Sequence, residues 1–368
     1  MKTKERIIDF IINTILIFVI ILIICFIYLI ISEKNETVSS LEEENVVLTS
    51  TVSENINKET IVIPIIDTES STSKVYISNN VKNNKYYYNQ LNDNAKIIYD
   101  AIEDNLENMK SGTYTIKLPN SVAKILYNEN GSEELDENFQ SAWDALTLDR
   151  VDIFFIDISK ISLLIKKTTY GTNVSYELEI TPTDESRYLE DGQNGKETVN
   201  NTLKQVQNVK EEIMSKVSGT TYNKIMKVHD WLIDNLEYDT KMTNPNIYNI
   251  YGALVEKSAV CEGYAEAFKY IMDELDIPCI LVAGEAINSE GSKEKHEWNY
   301  VQIDGKWYGV DVTWDDPIIN GYAYVTNSTR HKYLLKGSIT MDKNHKAIGK
   351  LSAKGKEFIY PELQMEDY

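Results

Sequence analysis

Cysteine is scarce: three residues in 368, one of them, Cys25, inside a long hydrophobic run. The two thiols left, Cys261 and Cys279, make no disulfide framework. Histidine is scarcer still for a chain of this size, at four, and neither CxxC nor HExxH spacing occurs. "DGQNGKE" at 191–197 lacks the carboxylate ladder of a calcium loop. No metal and no cofactor is therefore expected. Clusters of Lys and Arg are also missing, and the formal net charge is −20. A surface so acidic repels phosphate backbones, which excludes nucleic acid as a partner. With only 16 Gly and 7 Pro, 42% hydrophobic and 26% charged residues, and no internal repeat, the composition is that of a globular protein. Its length allows roughly two domains plus attachments.

One feature is abundant at the front. Residues 10–31, "FIINTILIFVIILIICFIYLII", are 22 residues interrupted only by Asn13 and Thr14. As a helix they are long enough to span about 30 Å of hydrocarbon. Lys2, Lys4 and Arg6 precede the run, and Lys34 is the single basic residue soon after it. Positive charge on the amino side predicts a cytoplasmic tip at 1–9, a single-pass anchor at 10–31, and an extracellular remainder. A cleaved signal peptide is the alternative, but its apolar stretch is typically about 7–15 residues and a small-x-small cleavage site is absent. Lipid modification at Cys25 is disfavoured by Ile24, where a small residue is wanted.

Residues 32–84 are polar and read as a tether. An accessory unit is expected over 85–195: a helix with Ile98, Ile102, Leu106 and Met109 on one stripe, a strand at "GTYTIKLP", a short helix at "NFQSAWDAL", then strands through "DIFFIDISKISLLIKKTTYGTNVSYELEITP", the last two joined at "YGTN". A second unit is expected over 196–368. Val199, Leu203, Val206, Ile213 and Val217 mark one helix; Ile225, Val228, Leu232 and Leu236 mark another. Helices followed by strands predict an α+β fold.

Cys261, in "AVCEGYAEAF", opens a helix with Tyr264, Phe268, Ile271 and Leu275 inward. A thiol reacts as thiolate, and a free one has a pKa near 8.5. A helix start and a neighbouring imidazolium both favour the thiolate, and the backbone N–H there can bind an oxyanion. "HEWNYVQIDGKWYGVDVTW" reads as a hairpin around Asp304–Gly305. If that turn has two residues, paired positions sum to about 609 by simple register. Trp298 then lies opposite Asp311 and His296 opposite Thr313, and all four project from one face. Asp311 becomes the diagonal neighbour of His296, able to orient its ring. A three-residue loop would move Asp311 to the other face.

Together, Cys261, His296 in "HEWNYVQIDGKWY" and Asp311 in "GVDVTWDDP" resemble the core of the transglutaminase-like superfamily, over roughly 220–345. "VHDWLIDNLEYD" resembles the helix upstream of that core, and "DKNH", ending at His345, a downstream feature. The segment 85–195 looks like the domain preceding such cores in anchored bacterial surface proteins. The resemblance implies a papain-like packing of the Cys helix on an antiparallel sheet. It implies Cys261 as nucleophile, His296 as general base and acid, and Asp311 as its orienter. It also implies an oxyanion-stabilising or substrate-side group, for which Trp231, Tyr238 and Trp298 are candidates. Protein or peptide substrates, cell-wall peptides among them, follow from the resemblance, with hydrolysis slightly favoured over transamidation. A catalytically inactive binding module at the cell surface is the alternative. Cys279, His229, His331 and His345 read as structural.

Overall fold

The computed structural model describes residues 56–64, 85–183, 187–242, 244–288, 291–316, 318–319, 322–323 and 329–368. The expected tip, anchor and most of the tether lie outside the described residues. No helix among the described residues is long and apolar enough to cross a membrane.

The first half centres on an antiparallel sheet of order β1-β3-β4-β2, made of β1 (Ile56–Pro64), β2 (Ile116–Lys117), β3 (Ile161–Tyr170) and β4 (Asn173–Pro182). β3 and β4 turn at "YGTN" as expected, Tyr170 opposite Asn173, with Gly171 supplying the left-handed φ of 58°. Three expectations are corrected here. Ile56–Pro64 belongs to the sheet rather than to a tether, pairing along β3 from Ile56↔Tyr170 to Pro64↔Ser162. "DIFFID" is not strand; 3₁₀ turns occupy Val151–Ile153 and Ile158–Lys160 before β3 begins. "GTYTIKLP" contributes just two strand residues, because its pairing with β4 stops at Lys117↔Glu179.

Two helices pack against each other in this half. α1 (Asp93–Glu103) starts at Asn92, whose side chain accepts the Ala95 N–H, and buries Ile98 and Ile102. α2 (Gly131–Asp149) is far longer than "NFQSAWDAL" suggested, 19 residues with Leu135, Phe139, Trp143 and Leu146 at 0% exposure. The second half begins with α3 (Lys196–Lys216) and α4 (Thr221–Asn235), which bury the expected stripes except that Leu203 and Val217 are only partly covered. A short parallel pair, β5 (Glu237–Tyr238) and β6 (Ser258–Ala259), leads into α5 (Cys261–Glu274). α5 packs on a second antiparallel sheet of β7 (Cys279–Ile287), β8 (Lys293–Ile303) and β9 (Lys306–Val310). After short strands β10 (Ile318–Ile319) and β11 (Tyr322–Ala323), β12 (His345–Ala347) joins the outer edge of β7, giving the order β12-β7-β8-β9. The α+β arrangement of helix on antiparallel sheet is the one expected.

The boundary expected at 195/196 does not separate two bodies, since Ile56–Tyr368 forms one compact unit. One apolar cluster runs through both halves. Polar ties reinforce it: Asp149 accepts the N–H groups of Tyr87 and Tyr88, the Tyr87 hydroxyl reaches the Leu281 carbonyl on β7, and Ser352 donates to Asp144 on α2 at 2.6 Å. A buried side chain unpaired by cutting the chain here would carry the full cost of its desolvation.

Candidate active site

Cys261 is the first residue of α5, and Val260 before it offers no side-chain cap. The first-turn N–H groups therefore lack the side-chain acceptor that Ser, Thr, Asp or Asn would supply. The backbone is drawn in tightly here. Val260 N–H donates to the Ile247 carbonyl at 3.0 Å, and a Cβ on Gly263 would lie 2.6 Å from that same oxygen. Only glycine admits so close an approach, and it holds the sulfur at the rim of an open cavity of about 920 Å³. Cys261 is half-buried and carries a free thiol.

The hairpin is built as its turn residues dictate. Asp304 and Gly305 both have positive φ, 52° and 75°, as a type I′ turn requires. The register runs from Ile303↔Lys306 to Asn299↔Val310. Beyond Val310 the strand stops. Asp311 instead caps a short helix, α6 (Val312–Asp315), so Thr313 is not opposite His296 on a strand. The cap is the reason: Asp311 Oδ1 accepts the Trp314 N–H at 3.0 Å, a local bond that competes with sheet pairing. The other oxygen, Oδ2, lies 2.7 Å from His296 Nε2. The structure thus brings Asp311 and His296 together by a route other than strand alternation.

With Nε2 held by Asp311, Nδ1 is the ring nitrogen left to face Cys261, whose side chain is near enough to favour the imidazolium. Cys261, His296 and Asp311 form one connected set. Burial opposes a charge on His296, but the Asp311 carboxylate, by charge and hydrogen bond, and then Cys261 outweigh it and push the imidazole up to about 10. Burial would likewise raise the Asp311 carboxyl, yet the His296 and His345 rings hold it well below the usual carboxylate range.

His345, noted in the sequence as the end of "DKNH" and read as structural, is a contact of Asp311 that sequence reasoning did not foresee. From β12 its Nε2 reaches Asp311 Oδ2 at 2.9 Å. A "DKNH" stretch 34 residues downstream offered no periodicity to place it, and only the pairing of β12 with β7 does so. Around the two imidazoles stand Trp298, Trp314 and Tyr333, with ring centroids 4.7–5.2 Å from that of His345.

The three substrate-side candidates part company. Tyr238 lines the cavity with Cys261, next to Glu262, Tyr248 and Met242. Burial first, and then the nearby Cys261, push its phenol up to about 12, so it is an O–H donor at neutral pH. Trp298 is 1% exposed and packs beside His296 in the core, so it is a wall behind the imidazole and not a substrate contact. Trp231 does not line the cavity; its ring sits 4.2 Å beneath the Lys257 ammonium. Cys279 is buried. His229 is buried too, and ties α4 to α6 through Asp315 at 3.1 Å.

Among the described residues, two groups of three His and Asp side chains have ligand-type atoms within 4.8 Å of one another, His229–Asp230–His331 and His296–Asp311–His345. In both, imidazole and carboxylate meet at direct hydrogen-bond distance, 2.7 Å for His331 to Asp230 and for His296 to Asp311. Protons bridge these groups, and Arg330 also donates to Asp230, which leaves that carboxylate already neutralised.

What such an arrangement can do chemically is form and resolve acyl–sulfur bonds. A sulfur at a helix start, an imidazole that can take and return a proton, and a carboxylate that fixes the ring are the parts of a cysteine acyl-transfer centre. Comparison with known proteins bears on the same segment. Residues 207–312 match the family described as the transglutaminase-like superfamily. Kyphoscoliosis peptidase of Mus musculus is 24% identical over 100 residues, covering 24% of this chain and 15% of the relative. Its Homo sapiens counterpart is 22% identical over 111 residues, covering 27% and 17%. The match thus spans less than a fifth of the length of these curated relatives. Among solved structures, one titled as the crystal structure of a TGase shares 15% identity, with 44% of this chain and 46% of that chain covered and a TM-score of 0.29. Residues 207–312, which hold Cys261, His296 and Asp311, are a transglutaminase-like domain.

Proposed function

We propose that this protein is a cysteine enzyme that opens amide or peptide bonds of protein or peptide substrates through a thioester. The observation that supports this reading is the His296 imidazole, held by Asp311 and lining the same open cavity as Cys261. The Cys261 sulfur attacks the carbonyl carbon. The charge that develops on oxygen is met by the first-turn N–H groups of α5, with the Tyr238 hydroxyl as a further donor. As the C–N bond breaks, His296 gives the Nδ1 proton to the departing amine, leaving an acyl–sulfur bond. Water, or a second amine, then transfers a proton to His296 while it attacks the thioester, and the sulfur is released.

Water and amine compete for one intermediate, and the cavity is open enough to admit water. We therefore favour hydrolysis over transamidation. Placed outside the cell by the run at 10–31, the enzyme would meet cell-wall peptides or surface proteins.

The test is to incubate the purified protein with a Gln-containing protein, with and without a primary-amine probe. New termini or released ammonia without probe incorporation, lost in Cys261→Ala, supports hydrolysis. Cys261-dependent incorporation of the probe means transfer. If neither occurs and a thiol-directed electrophile labels Cys261 no faster than a free thiol, the protein is a binding module and not an enzyme.

A further inference from the structure

One oxygen of Asp311 serves two imidazoles. Oδ2 takes His296 Nε2 at 2.7 Å and His345 Nε2 at 2.9 Å, while Oδ1 is committed to the Trp314 N–H. The His345 ring is buried and anchored at its other end. Its Nδ1 meets Asn344 Oδ1 at 2.9 Å, and Asn344 Nδ2 donates to the Tyr333 hydroxyl at 2.6 Å. The ring is thus held at both ends, Nε2 at the Asp311 carboxylate and Nδ1 at the Asn344 side chain. Its position depends on close strand packing: β12 can approach β7 because residue 284 is Gly, where a Cβ would lie 2.1 Å from the Lys346 carbonyl oxygen. His345 also lies outside the residues that match the family, 207–312.

A carboxylate oxygen shared by two donors gives each of them less than it would give one alone. We propose that His345 is a positioning residue for the acyl-transfer step: it occupies half of Asp311 Oδ2, so that His296 is oriented by the carboxylate without being locked to it and still releases its proton to the leaving amine. This rests on the proposed roles of Cys261, His296 and Asp311. The proton balance is simple. The proton that moves is the one on His296 Nδ1, and both Nε2–H bonds to Asp311 stay in place throughout. The titratable groups facing His296 are Cys261 from α5, Asp311, His345 from β12, and Glu297 from its own strand. Those facing His345 are Asp311, His296 and Tyr333.

Full-length protein with labelled histidine would be titrated by NMR as wild type, His345→Gln and His345→Ala, alongside pH profiles of kcat and KM on a peptide amide. Without His345 the whole Asp311 charge falls to His296. Its midpoint should rise by about half a unit or more in His345→Ala and by less in His345→Gln, which still donates one N–H. The alkaline limb of kcat should move with it, and kcat should fall roughly tenfold with KM within about twofold, because a more tightly held proton makes a weaker acid. A His296 midpoint within about 0.2 unit of wild type in both variants, or one that falls, overturns the proposal. Should His345→Ala fail to fold, His345→Gln carries the test. If the wild type shows no Cys261-dependent turnover, the enzymatic reading and the positioning role go together, while the NMR midpoints still report separately whether the two imidazoles compete for Asp311.

Discussion

Asp311 caps the turn that carries Trp314, accepting its N–H on Oδ1 at 3.0 Å and so turning Oδ2 towards His296. Capping and catalysis are separable by substitution. Asp311→Asn can keep the cap through its amide oxygen, but the NH₂ that replaces Oδ2 cannot accept from His296. We expect turnover to drop by on the order of 10³–10⁴ with little change in melting temperature. Asp311→Ala removes the cap as well, and should lose roughly a further 0.5–2 kcal/mol of stability. Equal destabilisation by both variants would show that the carboxylate acts chiefly as a structural group.

The imidazole midpoint near 10 sets the alkaline side of the pH profile. His296 is raised in the folded protein from an ordinary value of 6.5. Its charged form therefore contributes stability in full below about 6.5, and that contribution is lost as pH rises through about 10. Turnover that needs the imidazolium should fall off in the same range. Cys261 is one of the groups that raise His296, so Cys261→Ala should bring the His296 midpoint down in an NMR titration. A midpoint unchanged by removal of the sulfur would mean that the two side chains are not electrostatically coupled.

How far these features could be read in advance differs from residue to residue. Cys261, His296 and Asp311 were legible because each sits beside a strong local signal: a helix stripe, an Asp-Gly turn, an alternating strand. The turn gave the right register up to Val310, then local capping by Asp311 ended the strand and carried Thr313 onto a helix. Trp298 shared the correct face with His296, but facing the core is different from facing substrate. Ile56–Pro64 was missed because its partner, β3, lies about a hundred residues away and it sits inside a longer polar stretch. The contact of His345 with Asp311 was not foreseen because β12 likewise pairs with a strand far off in sequence. Long-range pairing leaves no mark in a window of sequence.

Gly284 connects the outer strand to the site. It pairs with His296 on β8 and with Ala347 on β12. A Cβ added there would meet the Lys346 carbonyl oxygen at 2.1 Å and the Trp298 ring at 2.7 Å. Backbone cannot yield as a flexible side chain does, so Gly284→Ala should push β12 off β7 at a cost of about 1–3 kcal/mol. His345 would be drawn away from Asp311 in the same movement. We expect a lower melting temperature together with an altered alkaline limb of turnover. Gly309→Ala is the control: its Cβ would meet the Met341 side chain at 2.7–2.9 Å, which can shift, so a smaller loss with an unchanged limb is expected.

Behind Cys261 lies a pair of carboxyl groups in an unusual state. Glu266 Oε2 and Glu297 Oε1 are buried without a hydrogen-bond partner among the described residues. Burial, and then the charge of Glu262, push both carboxyls well above their ordinary range. The folded protein therefore holds protons on these groups to higher pH than the unfolded chain, with glutamate near 4.3, does. Stability should decline as pH rises above about 4.3 wherever these two groups dominate. Glu266→Gln and Glu297→Gln put a neutral group of the same shape in each place. Each should flatten the pH dependence of the melting temperature above about pH 4.3, raising it at the alkaline end and leaving the acid end near the wild-type value. Glu297 lines the cavity, and the Gln variant keeps its shape without a titrating proton, so turnover should stay within about threefold. A Gln variant that melts lower at pH 8 than the wild type would mean that the carboxylate is charged and paired there, and that the region beneath Cys261 is held by an ion pair instead of by buried protons.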